Sequence, residues 1–126
     1  MTGVVLDAGA LVAIDRGDRA IGAMLRVAWE LGVPVRTSAA AVAQVWRSGS
    51  RQARLARVLS GVDSAPLDLD EARAIGTLLA RNASADVVDA HVARLVHPGD
   101  RVLTSDPDDI AALLRTREVE AAVVRV

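Results

Sequence analysis

Near the start of the chain, residues 4–9 read VVLDAG, three apolar residues followed by a carboxylate and two small residues. A short β-branched run of this kind predicts a buried strand over residues 4–6 whose carboxyl end carries Asp7. An unpaired carboxylate at the rim of a core is costly, so Asp7 is a candidate functional group. The alternative is a structural role as the N-cap of a short helix over residues 10–14.

Outward from this strand, stretches with strand character alternate with stretches of helical spacing. Strands are predicted over residues 33–37, 65–67, 101–104 and 121–124, and helices over residues 19–31 and 52–59. Four more helices are predicted from their capping residues: from Ser38 to about residue 47, from Asp68 to about 81, from Ser84 to about 96 and from Asp106 to about 114. Such alternation indicates a parallel sheet covered on both faces. We therefore predict one α/β domain over residues 1–126, a three-layer sandwich with a central, mostly parallel sheet flanked by helices.

The composition excludes several kinds of site. The chain has no cysteine, which excludes disulfides, thiolate zinc sites and cysteine nucleophiles. All 15 basic residues are arginine, and without lysine the chain has neither a P-loop nor a Schiff-base enzyme's amine. No apolar run approaches the roughly 18 residues that cross a bilayer, and no basic segment of a signal peptide is present, so we expect a cytoplasmic protein.

Two further groups of carboxylates stand at the starts of predicted helices. Asp86 and Asp89 are three residues apart, so both project from one side of a helix. Asp89 lies among apolar residues and needs a cation or a partner, whereas Asp86 could simply favour the positive end of the helix. Asp106 and Asp109 begin the helix that follows the strand over 101–104, where capping and the helix dipole are the structural alternative.

The predicted sheet brings these acids to one edge, because Asp7 and Asp106 both follow the carboxyl ends of strands. At about 5 Å and an effective dielectric constant of about 20, each pair of charges repels by roughly 3 kcal/mol, so such a cluster opposes folding unless a cation enters it. Oxygen ligands without sulfur or paired histidines select Mg²⁺ or Mn²⁺. Such an ion activates water and holds a phosphate oxygen, a usual function of acidic clusters in nucleases.

Four segments in the same order resemble the PIN-domain family across essentially the whole chain. They read VLDAGA over residues 5–10, TS leading into VAQVWR over 37–47, DVVDAH over 86–91 and LTSDPDD over 103–109. The size and architecture look most like the VapC-type toxins, the ribonucleases of type II toxin–antitoxin pairs.

The resemblance implies a Mg²⁺- or Mn²⁺-dependent endoribonuclease. Asp7, Asp89 and Asp106 match the catalytic acids that hold the metal, with Asp86 and Asp109 as outer contributors. Thr104 matches a small hydroxyl residue near that site. The implied partners are an RNA substrate, a small VapB-like antitoxin and a second copy of the chain in a homodimer.

One residue departs from the family pattern. The second acid of the family is a glutamate in the helix after the second strand, and this chain has Gln44 at the matching position. A glutamine keeps a carbonyl ligand but removes a charge, which would weaken metal binding. The alternative function is therefore a catalytically weakened RNA- or antitoxin-binding module. A phosphotransferase or phosphatase is a third possibility, disfavoured because no lysine and no Asp-x-Asp follow the first strand.

Four arginines lie close to Gln44 in the sequence. Arg47, Arg51, Arg54 and Arg57 recur at spacings of three and four, and form one basic stripe if the helix continues past Gly49. The stripe could guide an RNA backbone or receive acidic groups of an antitoxin. It could equally be a solvated helix face. The two histidines, His91 and His97, are expected on a helix surface or in a turn.

Overall fold

The computed structural model of the protein describes residues 2–126. Its strands are β1 (Val4–Leu6), β2 (Val35–Ser38), β3 (Asp63–Ala65), β4 (Arg101–Thr104) and β5 (Ala122–Arg125). Its helices are α1 (Ala8–Asp15), α2 (Arg19–Glu30), α3 (Ala39–Val45), α4 (Ala53–Leu59), α5 (Leu69–Asn82), α6 (Val87–Arg94) and α7 (Pro107–Arg117).

The five strands form one parallel sheet in the order β3-β2-β1-β4-β5. This confirms the predicted α/β sandwich, and the sheet is parallel throughout. β1 is the central strand, and Leu6 is paired with Thr37 of β2 on one side and with Leu103 of β4 on the other. The chain first adds strands on the β2 side and then on the β4 side. The carboxyl ends of β1 and β4 therefore form the switch point at which ligands bind in open α/β sheets.

An aliphatic core holds the helices against the sheet. Val5, Leu6 and Val102 are completely buried on the central strands, and Leu11 of α1 and Ile110 of α7 are equally buried. Each such side chain contributes about 1.5–3 kcal/mol by leaving water. The core thus holds the first turns of α1 and α7 close to the ends of β1 and β4. No helix within residues 2–126 is long and apolar enough to span a membrane.

The helix predicted to extend to residue 47 is shorter in the structure. α3 ends at Val45, and Trp46 is in an extended conformation. The buried side chain of Gln52 holds the turn that follows, because its Oε1 accepts from the amides of Arg47 and Ser48 and its Nε2 donates to the carbonyl of Val45. α4 then starts a new helix at Ala53.

Other boundaries also differ from the prediction. α6 begins at Val87 and not at 85, because the side chain of Asp86 accepts from the amide of Asp89 and caps the helix in place of Ser84. β3 ends at Ala65, since Pro66 has no N–H to continue the pairing. β2 lies two residues later than expected at its start.

Candidate active site

Asp7 stands at the end of β1 and holds two chain segments together. Its Oδ1 accepts from the amide of Ala10 at 2.8 Å, which caps α1, and its Oδ2 accepts from the amide of Ser105 at 3.2 Å, just beyond β4. The residue is 2% exposed. Burial raises the pKa of Asp7, while the neighbouring Thr104 hydroxyl and the two amides oppose the rise. Asp7 therefore has the structural capping role and also faces the loop that carries Asp106.

Gly9 allows this close approach of α1 to the loop after β4. A Cβ at Gly9 would lie 2.1 Å from Oγ and 2.4 Å from Cβ of Ser105. Contacts this short force a neighbour to move. Only glycine therefore fits between Asp7 and the loop as they stand.

We expect Gly9→Ala to destabilise the protein by about 1–3 kcal/mol, because the added methyl group overlaps Ser105. Thermal unfolding measures the change. Gly22→Ala is the matched control, since Gly22 lies in α2 with nothing within 4 Å of the added Cβ. That control should be stabilised by about 0.5–1 kcal/mol through helix propensity. Equal stability of Gly9→Ala and the parent protein would contradict the close packing.

Asp89 is the most perturbed carboxylate of the site. It lies in the first turn of α6 and is 8% exposed. Its pKa is raised to about 7, mainly by burial and then by the charges of Asp86, Asp106, Asp7 and Asp109 in that order. All four charges lie near enough to Asp89 to act on its carboxyl group. The structure thus brings together acids from the ends of β1 and β4 and from the start of α6.

Asp106 occupies the N-cap position of α7 but its side chain makes no capping hydrogen bond. Its amide donates to Thr104 Oγ1 at 2.8 Å, and Thr104 is fully buried. The Thr104 hydroxyl therefore lies between Asp7 and Asp106 and orders the turn that joins them. Because the exposed carboxylate of Asp106 does not cap the helix, it is available to a ligand.

Asp86 and Asp109 occupy outer positions. Asp86 is exposed and accepts from the amide of Asp89 at 2.9 Å. It therefore has the structural role at the N-terminal end of α6 that the sequence left open. Asp109 is exposed in the first turn of α7. Both contribute charge to the space around Asp89.

The donor atoms are suited to a hard divalent cation. The five side chains offer carboxylate oxygens only, with the Thr104 hydroxyl beside them, and such donors prefer Mg²⁺ or Mn²⁺. Burial is the main cause of the raised pKa of Asp89, and the negative charges of the neighbouring carboxylates add to it. Across residues 2–126, no three His, Asp or Glu side chains stand close enough to hold one ion without moving. The residues thus fit the cation in chemistry and charge, and the side chains would have to move closer together to hold it.

Gln44, Arg47 and Arg51 lie in the last turn of α3 and in the turn that follows it. Gln44 is exposed in the last turn of α3, a helix that packs on α1 and α6. Arg47 turns back on its own segment, since its Nη1 donates to the carbonyls of Ala43 and Trp46. Arg51 is exposed in the turn before α4. The condition for one helical stripe is not met, because the helix does not continue past Gly49.

His91 was expected on a helix surface, and this expectation is wrong. The side chain is fully buried, and its Nδ1 lies 2.6 Å from Oγ of Ser38. Ser38 also caps α3 by accepting from the amides of Ala40 and Ala41. His91 therefore links the helix of Asp89 to the start of the helix of Gln44. The apolar neighbours Ala90 and Val92 in the sequence could have indicated that His91 is buried.

The architecture is similar to that of two solved structures. One is VapBC2 from Rickettsia felis bound to a DNA fragment from its promoter, with a TM-score of 0.65 and 11% identity over 98% of both chains. The other is FitAB bound to the IR36 DNA fragment, with a TM-score of 0.54 and 15% identity over 97% of this chain and 94% of that one. The chain has a PIN-like fold. At these identities the likeness shows the fold alone.

Sequence comparison adds no closer relative to this PIN-like chain. The chain matches no protein-family model, and it matches none of the curated proteins with which it was compared. The functional interpretation therefore depends on the residues of the site.

Proposed function

We propose that the protein is a divalent-metal-dependent endoribonuclease and acts as the toxin of a toxin–antitoxin pair. The observation that carries the proposal is the burial of Asp89 beside four other carboxylates at the switch point between β1 and β4. Such a cluster costs folding free energy when its carboxylates are charged, and a bound cation would recover that free energy. A cluster of carboxylates that destabilises the fold is most simply explained by a function that requires it. The PIN-like fold and the four family-like segments support the same activity.

Each acid has a distinct position in the proposed reaction. Asp7, Asp89 and Asp106 would hold Mg²⁺ or Mn²⁺, with Asp86 and Asp109 orienting outer water. The bound cation would supply activation of water and neutralisation of a phosphate oxygen of RNA. Asp7 is oriented by the amides of Ala10 and Ser105, which set its carboxylate before any ligand arrives. The RNA is cut to leave 3′-hydroxyl and 5′-phosphate ends.

The proposed partners follow from the same assignment. A small VapB-like antitoxin would hold the toxin inactive by placing a basic side chain among the carboxylates, where it replaces the cation. Arg47 and Arg51 would contact the RNA backbone or the antitoxin beside the site. We further propose a homodimer that acts in the cytoplasm. The first solved complex is itself named as VapBC2 and is bound to DNA from its promoter.

Cleavage of structured RNA by the purified protein tests the proposal. We expect cleavage in Mg²⁺ or Mn²⁺, none in EDTA, and products with 5′-phosphate ends. Asp7→Ala, which removes one proposed ligand, should be inactive. Cleavage that persists in EDTA, or that is equal in Asp7→Ala, would reject a metal-dependent nuclease at this site.

A second candidate function rests on Gln44, which replaces the family's second acid. In this case the protein is an RNA- or antitoxin-binding module with weakened catalysis. The exposed position of Gln44 on α3, beside α1 and α6, leaves room for a charged side chain there. RNA binding without cleavage in any divalent cation would favour this candidate.

We expect Gln44→Glu to raise the affinity for Mn²⁺ by about tenfold, because it adds a negative charge beside the acids. Isothermal titration calorimetry measures the dissociation constant. Ala43→Glu is the matched control, since it adds the same charge one residue away on the exposed part of α3. Equal affinity of Gln44→Glu and the parent protein would show that residue 44 does not contribute to the metal site.

A further inference from the structure

A charged cavity lies between α5, α6 and α7, near the C-terminal ends of these helices. It has a volume of about 340 Å³. Its lining consists of three arginines, one threonine and two apolar residues: Arg81, Arg94, Arg117, Thr77, Ala74 and Leu78. The carboxylates of the candidate active site stand at the opposite, N-terminal ends of α6 and α7. The cavity is therefore separate from that site.

Each arginine is anchored to the protein by part of its guanidinium group. Nη1 of Arg117 donates to the carbonyls of Ala93 and Val96 at the end of α6, at 2.5 and 3.1 Å. Nη2 of Arg81 donates to the carbonyl of Thr116 at 3.3 Å. These bonds use two and one of the five N–H donors that a guanidinium carries. Both arginines line the cavity, and their other N–H donors make no hydrogen bond within residues 2–126.

Arg94 is anchored by an ion pair. Its Nε and Nη2 donate to the two carboxylate oxygens of Glu71 at 2.5 and 3.3 Å, and its side chain is 32% exposed. Glu71 thus neutralises one of the three arginines and leaves an excess of two positive charges. Burial lowers the pKa of Arg117, and the charge of Arg94 lowers it further, so two guanidinium groups repel each other beside the cavity.

We propose that this cavity binds a phosphate dianion, either inorganic phosphate or the terminal phosphate of a phosphomonoester. The excess of two positive charges matches a dianion and exceeds the single charge of a phosphodiester. Guanidinium groups with fixed orientation form paired hydrogen bonds to phosphate oxygens. The Thr77 hydroxyl already donates to the carbonyl of Arg73, so the arginines alone would supply the donors to the phosphate. The volume exceeds that of phosphate alone and leaves room for part of an attached group.

Titration of the full-length protein with inorganic phosphate at pH 7.5 and constant ionic strength tests the proposal. We expect saturable binding with a dissociation constant below about 1 mM. Arg81→Gln should weaken phosphate binding at least about tenfold, because it removes one positive charge from the cavity. The variant should fold normally, since Arg81 is exposed and makes only one long hydrogen bond. Arg115→Gln is the matched control on α7, since Arg115 is exposed and does not line the cavity, and it should bind like the parent protein.

Three further measurements complete the test. Arg117→Gln should also lose binding, and its thermal unfolding shows whether it is folded. Adenosine 5′-monophosphate distinguishes the two sources: tighter binding than phosphate assigns a nucleotide, and equal binding assigns free phosphate. Binding should be the same with and without EDTA. Absence of saturable binding, binding that survives Arg81→Gln, or binding that requires a divalent cation would each overturn the proposal.

Discussion

Asp89→Asn is expected to lower RNA cleavage in Mg²⁺ or Mn²⁺ by at least about 100-fold, which corresponds to about 2.7 kcal/mol of lost transition-state stabilisation. The substitution keeps the size of the side chain and removes a buried charge on which four other carboxylates act. Mn²⁺ affinity should fall with activity, since the same group would bind the ion. Initial cleavage rates and calorimetric titration measure the two effects.

Asp70→Asn is the matched control for this substitution. Asp70 also lies in the first turn of a helix, but its side chain is 95% exposed and pairs only loosely with Arg73 at 3.9 Å. It should keep full activity and full Mn²⁺ affinity. If Asp89→Asn cleaved RNA as fast as Asp70→Asn, the buried carboxylate would have no part in the reaction.

The second large effect concerns the stability of the metal-free protein. The pKa of Asp89 is about 7 in the folded protein and near 3.8 when unfolded, so the folded state binds the proton first as the pH falls. Stability from this residue is therefore lost as the pH rises through 7 and recovered below about 4. Three pKa units correspond to about 4 kcal/mol, and with solvent screening of the exposed neighbours we expect about 2 kcal/mol.

Urea unfolding in EDTA between pH 5 and pH 8 measures this dependence, with Asp89→Asn for comparison. The variant should be more stable than the parent protein at pH 8 and should lack this part of the pH dependence. The comparison is needed because Asp100 and Glu71 also contribute to the pH dependence. Their pKa values are lowered, so the protein loses their stabilising contribution as the pH falls. Equal stability of both proteins at pH 8 would mean that Asp89 carries no electrostatic cost, which would remove the argument for a cation.

Alternating apolar runs predicted the order of strands and helices because the periods of 2 and 3.6 residues are local properties. β1, α2, β4 and α5 begin and end within a few residues of their predicted positions. Two helix boundaries were predicted wrongly because a side-chain hydrogen bond decides each of them. Gln52 holds the turn after α3, and Asp86 takes the capping role expected of Ser84. Periodicity contains no information about either hydrogen bond.

The candidate site was predictable as a set of residues but not as an arrangement. Asp7 and Asp106 were both placed after strands, and both were open to an alternative as helix caps. The structure separates them, since Asp7 does cap α1 while Asp106 makes no capping bond. The burial of His91 against Ser38 was missed, because the contact joins residues 53 positions apart.

The amino-acid sequence by itself determined the α/β class, the oxygen-only chemistry of the acids and the absence of lysine and cysteine, since these depend on residue type and local spacing. Only the tertiary structure decided that Asp89 is buried where the charges of Asp7 and Asp106 act on it, and that three arginines line one cavity. The physical reason is the same in both cases. Electrostatic repulsion depends on distance through space, and that distance is set by how the core packs α6 and α7 against the sheet.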